Sequence, residues 1–354
     1  MNEELLAVNE LAADFAKAEL AAATLAYEFP YARPLDGLLA KANEAGLFSV
    51  TLPAEHGGVG LDAAALAGVV QTLAAVDAGF AAVLLAHAAA LEILTAAPAH
   101  YAAAAEGALA FPVYAAPGET DLPVARGDAA ARLTGTLPLV VLGGAARHAV
   151  VPAATGDGRY AYFWVDLAHA SVARPAPALT LGLQLARPVD LVFRDTPATR
   201  IGSVDEGAAL YARMHARMAP VAAALALGTL EGALGAAVAY TRGRPQGGRN
   251  IVDWSGVRMK LAEMAVQVEA GRALVAGLGA APSARAAVAA FLHVSDLAAA
   301  GTVDGVQLLG GNGYMKEYGQ EKRMRDARQA RSLFGMNGPK KLTLIASLLQ
   351  ETPV

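Results

Sequence analysis

The feature that most limits what this chain can fold into is a change of texture that begins near residue 111 and reverses near residue 200. On either side, alanine and leucine recur at helical spacing, with few breakers after Gly60. Alanine is the best helix former, so stretches such as Ala63–Ala99 read as helix. The middle zone is rich in Pro, Gly, Val and Thr. Its short apolar runs, Ala110–Tyr114, Leu137–Leu142, His148–Val151, Tyr160–Val165 and Val189–Phe193, predict strands. Turn signals at Gly143-Gly144 and Thr155-Gly156-Asp157-Gly158 separate them. The order helix, strand, helix predicts a mainly α chain of class α+β, with a helical domain over 1–110, a β domain over 111–202 and a second helical domain over 203–354.

Composition narrows the function. Of the 354 residues, 55% are hydrophobic and 17% charged, which calls for a large core or for extensive subunit interfaces. The charge-free piece Ala78–Leu91 is shorter than the roughly 20 apolar residues that cross a bilayer, so it predicts a buried helix and no membrane partner. The acidic N-terminus, MNEELLAVNE, lacks a signal-peptide pattern, so a cytoplasmic protein is expected. With no cysteine, disulfides, thiolate metal sites and cysteine nucleophiles are excluded. A formal charge of −4 carries no basic footprint for nucleic acid. The basic run Lys316–Arg331 alternates with acids and reads as a solvated or interface helix face. The seven histidines are scattered without metal-ligand spacing, so no metal site is expected.

Two segments hold residue types suited to an anionic ligand. Arg244 precedes Pro245 and Gly247-Gly248, with Gln246 between them. A guanidinium at such a helix end can grip a pyrophosphate with two parallel donors. Gln307 stands just ahead of Gly310, Gly311 and Gly313, where backbone without a Cβ can come close to a ligand or to another helix. On residue types alone, both segments are also explained by a plain helix break and by tight helix packing.

The stretch Val306–Arg328, VQLLGGNGYMKEYGQEKRMRDAR, closely resembles a signature of the acyl-CoA dehydrogenase family. Leu230–Met264, centred on YTRGRPQGGRNIVDWSGVRMKLAEM, and Gly46–Asp62, GLFSVTLPAEHGGVGLD, are similar to two further family segments. The resemblance implies an N-terminal helical domain, a central β-barrel, a C-terminal four-helix bundle and FAD as cofactor. It also implies that Arg244, Gln246, Gln307, Gly310 and Gly311 reach across a dimer interface to the flavin of a neighbouring subunit.

The departures from the family pattern lie elsewhere. The family's Y-E-G-T-N segment, which carries the catalytic Glu, reads Leu333-Phe334-Gly335-Met336-Asn337 here, so Phe334 stands at the base position. The alternative base position, at the start of the first bundle helix, reads Arg217-Met218-Ala219-Pro220. The flavin-facing T-E-P-x-A-G-S-D segment survives only at the end of Tyr114–Asp121, and a strand that should carry a hydroxyl reads Leu139-Val140-Val141-Leu142. Tyr114 and Glu119 fall near where a thioester would lie. The pattern suggests a base-less supporting subunit of a heteromeric acyl-CoA dehydrogenase, catalytic residue none. Its expected partners are a homologous subunit or a second copy, an acyl-CoA or acyl-carrier thioester and an electron-transfer flavoprotein. An autonomous flavoenzyme with altered thioester chemistry and a non-enzymatic scaffold remain alternatives.

Overall fold

Helices α1 (Glu3–Phe15), α2 (Asp36–Glu44), α3 (Ala63–Ala74), α4 (Ala78–Leu94) and α5 (Tyr101–Ala105) come first in a computed structural model that describes residues 3–156 and 158–351. Asp62 and Asp77 stop the chain before α3 and α4, each accepting a backbone N–H of the first turn (Ala65 at 2.9 Å, Phe80 at 3.0 Å). Every residue of α4 is buried, the charge-free Ala78–Leu91 included. Its alanines leave room for α3, α6 and the β domain to close around it.

The β domain follows, with β1 (Val124–Gly127), β2 (Ala130–Val140), β3 (His148–Gly156), β4 (Arg159–Asp166), β5 (Val172–Ala173) and β6 (Val189–Ile201). The order is β2-β1-β3-β4-β6-β5, and β2 also pairs with β6. That extra pairing closes the ring β2-β1-β3-β4-β6 into a small barrel with β5 on its flank.

Two strand expectations need correction. Ala110–Tyr114 is not a strand and makes only single bridges, Ala110 to Ala149 and Phe111 to Val141. Pro112 inside the run has no N–H to give a ladder. The first strand lies later, at Val124–Gly127, and is mostly exposed, so no apolar alternation marks it. Leu137–Leu142 is the tail of a longer strand. Its pairing with β6 is irregular between Leu137 and Val140, and Leu139 and Leu142 both have positive φ (53° and 59°).

The C-terminal part opens with α6 (Gly207–Gly243), whose 37 residues make a rod of about 55 Å. A short hairpin of β7 (Pro245–Gln246) and β8 (Arg249–Asn250) leads to α7 (Ser255–Gly277) and α8 (Ala284–Leu309). Helices α9 (Gln320–Ala330) and α10 (Asn337–Glu351) pack on α8 and complete the bundle. Helix α6 and the span Ala284–Tyr314 are long and apolar enough to cross a membrane, but 67% and 56% of their most apolar windows are buried inside the protein.

The basic run is solvated only in part: Lys316 and Arg328 are exposed, while its middle is packed. Lys322 is 3% exposed and sits between Asp326 (2.6 Å) and Asp77 (3.2 Å). Arg325 pairs with Glu28 (2.8 Å) and Glu321 (2.6 Å). Burial works against the Lys322 ammonium, but the two aspartates outweigh it and hold its pKa above the usual lysine value. Asp77 thus caps α4, accepts the Thr24 hydroxyl and ties α9 to the N-terminal helices. Alternating charge signals solvation only while nothing packs on the helix, and α9 is packed on by α4, α6 and α8.

Candidate functional site

Two places in the fold are in opposite states. The first is an open cleft of about 700 Å³ where the end of α6, the β7–β8 hairpin and the end of α8 converge. Arg244, Gln246, Gln307, Gly310 and Gly311 all line it, although 63 residues separate Arg244 from Gln307 in the chain. Arg244 is exposed at the α6 C-terminus, and no hydrogen bond or ion pair to its guanidinium occurs among the described residues. Its carbonyl accepts the Ile251 N–H at 2.9 Å, which turns the chain back over the cleft. Asn312 donates to the Tyr240 hydroxyl at 2.9 Å and joins the two helix ends.

The three glycines of the signature separate by what they face. A Cβ on Gly313 would collide with the Val306 carbonyl, so that glycine serves packing within the chain. Cβ atoms on Gly310 and Gly311 would meet nothing within 4 Å. Gly310 adopts φ +57°, ψ −134°, a conformation open almost solely to glycine. Glycine is required there by the backbone at the α8 end, and the residue leaves that backbone bare toward the cleft.

The second place is the seam between the β domain and the bundle, where Phe334 packs into the wall of an apolar pocket. The Phe334 ring is 2% exposed. The Phe334 N–H donates to the Val113 carbonyl, and its own carbonyl accepts the Tyr211 hydroxyl at 3.2 Å. Glu119 accepts the N–H of Met336 at 3.1 Å and that of Ala116 at 3.4 Å. Its carboxylate therefore braces the loop after Phe334. Lys340 donates to the carbonyls of Gly335 and Arg331 and lies 4.8 Å over the Phe291 ring. Burial lowers its pKa to about 8, opposed by Glu119.

His215 stacks on Tyr211 (5.6 Å) and meets Phe334 edge-on (5.7 Å). Burial, and then the Lys340 charge, lowers its pKa to about 4. A neutral imidazole of that kind can hydrogen-bond a carbonyl, but it is a weak base for a carbon acid. Tyr211, His215, Phe334 and Lys340 share the wall of a largely apolar pocket of about 520 Å³. Tyr211, His215 and Lys340 were not singled out from the sequence. Tyr211 and His215, four apart at the start of the first bundle helix, were the available signal.

These two states decide how FAD fits. On the seam side, Val140, Val141, Leu142, Tyr114 and Phe334 are all buried against their own chain, and Leu142 gives its N–H to the Ala186 carbonyl. Buried polar atoms there without a partner among the described residues include the Tyr114 hydroxyl and His215 Nε2. The run Leu139-Val140-Val141-Leu142 offers no side-chain hydrogen bond to the edge of an isoalloxazine ring, so the ring-facing contacts of the family pattern are missing on this side. The open cleft does suit the diphosphate of a dinucleotide, with Arg244, the amides of Gln246 and Gln307, and the Gly310–Gly311 backbone available to hold it.

Residues 205–349 match the family model for the acyl-CoA dehydrogenase C-terminal domain, and residues 2–100 that for the N-terminal domain. A probable acyl-CoA dehydrogenase of Mycobacterium tuberculosis, FadE25, is 35% identical over 181 residues, 48% of this chain and 46% of that protein. The cyclohex-1-ene-1-carbonyl-CoA dehydrogenase of Geobacter metallireducens is 40% identical over 121 residues, 32% of each chain. The chain thus spans about half the length, or less, of the curated relatives it matches. Among solved structures, a chain from work on the electron transferring flavoprotein of Acidaminococcus fermentans is 28% identical over 99% of each chain, with a TM-score of 0.90. Butyryl-CoA dehydrogenase of Megasphaera elsdenii shares the fold, with a TM-score of 0.90 over 99% of each chain at 24% identity. Matched by family models at both ends and by the whole fold between them, the chain belongs to the acyl-CoA dehydrogenase family, whose members are FAD-dependent.

Proposed function

We propose that this chain is the supporting subunit of a heteromeric, FAD-dependent acyl-CoA dehydrogenase of the cytoplasm. A homologous partner carries the flavin ring and the catalytic carboxylate. This chain completes the partner's flavin site from across the interface, with Arg244, Gln246, Gln307 and the Gly310–Gly311 backbone on the diphosphate. The observation that carries the reading is the contrast between the buried phenyl ring at position 334 and the open cleft at Arg244. FAD, when bound there, would supply the two-electron acceptor for α,β-dehydrogenation of an acyl thioester, and an electron-transfer flavoprotein would take the electrons onward. Exposed apolar residues support the assembly. Met259 (64% exposed) and Val266 (68%) lie seven apart on one face of α7, and Val303 is exposed on α8.

The test is co-expression with a homologue that has an intact catalytic Glu, followed by measurement of bound flavin. The wild-type complex retains FAD. Arg244→Ala removes one or two charge-assisted hydrogen bonds of about 1.5–3 kcal/mol each, so the complex loses most of its flavin while the isolated chain keeps its fold. A complex that never holds flavin, or one indifferent to Arg244→Ala, would favour the scaffold reading.

A further inference from the structure

Lys340, in the first turn of α10, is 6% exposed and lines the apolar pocket beside Phe334. Its ammonium meets three neutral oxygens: the carbonyls of Gly335 and Arg331 and the Asn337 side-chain oxygen (3.5 Å). Glu119, the carboxylate that acts on it through space, is already held by the N–H groups of Ala116 and Met336. Three acceptors match the three N–H bonds of an ammonium. A neutral amine has two N–H bonds and a lone pair, so loss of the proton frees one of those directions. With the pKa lowered by burial to about 8, roughly half of Lys340 is free amine at pH 8, against less than about 1% of an ordinary lysine. Arg285, the other cation on the wall, cannot lose its proton and so does not compete as a nucleophile.

The rest of the pocket suits an acyl group. Ala116, Val288, Phe334 and Leu344 give it an apolar wall around about 520 Å³. His215 Nε2 is buried without a partner, and burial keeps the imidazole neutral. In its Nε2–H tautomer that ring offers a donor to a carbonyl oxygen. We propose that Lys340 is a modification site, acylated on Nζ by an acyl thioester that enters this pocket. The amine attacks the thioester carbonyl carbon, an N–C bond forms, the C–S bond breaks, and the amine's proton leaves with the thiol. The products are an amide and a free thiol, and nothing is oxidised or reduced. An amine of lowered pKa is a weaker nucleophile than an ordinary lysine, so selectivity comes from holding the thioester beside it. The amide removes the charge and leaves the acyl chain in the pocket, which bars a second thioester. The inference shares the acyl thioester with the functional reading above but needs neither the flavin nor the partner subunit.

The probe is the octanoyl thioester of N-acetylcysteamine, incubated with the full chain at pH 8 and followed by peptide mass spectrometry. The rate at Lys340 should reach a plateau as the thioester concentration rises, whereas exposed Lys341 should react in simple proportion to it. At low concentration Lys340 should react about ten-fold faster than Lys341. The plateau rate should level off above about pH 8, while the Lys341 rate keeps rising toward pH 10. Lys340→Arg keeps a charged donor and should leave no saturating site. No acylation of Lys340, or a rate linear in thioester and no greater than that of Lys341, overturns the inference. Saturable acylation of Lys340 together with a flavin-free complex would sink the supporting-subunit reading and leave this site standing. A flavin-containing complex whose Lys340 stays unmodified would do the reverse.

Discussion

Replacing Phe334 by alanine and by glycine separates the ring from the backbone that holds it. Phe334 has φ +57°, in the left-handed region, and its ring is buried. Either substitution removes the same buried ring, at about 3–5 kcal/mol. The left-handed backbone costs an L-residue about 1–2 kcal/mol, and alanine keeps that cost while glycine escapes it. Against this, the greater freedom of glycine in the unfolded chain takes back about 0.4–1 kcal/mol. The glycine chain should come out the more stable by about 0.5–1 kcal/mol, the reverse of the order at ordinary positions. The hydrogen bonds to Val113 and from Tyr211 use backbone atoms of residue 334, so both variants keep them. The assay is urea unfolding followed by far-UV circular dichroism at one fixed protein concentration. An alanine chain as stable as the glycine chain would refute the backbone argument. A loss below about 1 kcal/mol in both would mean that the ring is not packed and that the seam has room for a ligand.

Phe334→Glu should not create acyl-CoA dehydrogenation in the isolated chain, because a base alone does not restore the flavin contacts; robust turnover with an artificial electron acceptor would contradict this. Lys322→Met strands Asp77 and Asp326 without their cation and should cost about 3–5 kcal/mol, with partial recovery in Lys322→Met/Asp326→Asn, read from melting temperatures. His87 accepts the Leu109 N–H on Nδ1 and so donates from Nε2 to the Phe48 carbonyl (2.8 Å). Burial lowers its pKa to about 4, below the unfolded value near 6.5. Its contribution is therefore full above about pH 6.5 and is lost as pH falls through 4, at most about 3 kcal/mol, and His87→Gln should flatten that part of the stability profile.

The helical zones and the buried α4 were legible because alanine-rich periodicity reports burial directly. The barrel was legible as a texture but not strand by strand. Val124–Gly127 is exposed and carries no alternation, and Pro112 spoils a run that otherwise looks like a strand. The cleft residues were named through the family resemblance, because their types alone also fit a plain helix break and tight helix packing. The seam was not readable. Tyr211 and His215 on α6 are far from Phe334 in the chain, and only the fold brings them to it and to Lys340. The burial of Lys322 was equally hidden, since sequence cannot say which elements will cover a charged helix.

Helix α6 carries Tyr211 and His215 near its first turn and Arg244 just past its last. The 33 residues from Tyr211 to Arg244 set the two places about 50 Å apart along one rod. Substitutions so far apart with no shared neighbours add nearly independently. A lineage could therefore lose the base, the hydroxyl strand and the room for a ring at one end without disturbing the other. Selection on a partner's cofactor would then act on the Arg244 end alone, and drift at the Phe334 end would be limited only by the need to stay packed. A gene duplicated from a self-sufficient ancestor has, in this geometry, a short path to permanent dependence on its sibling.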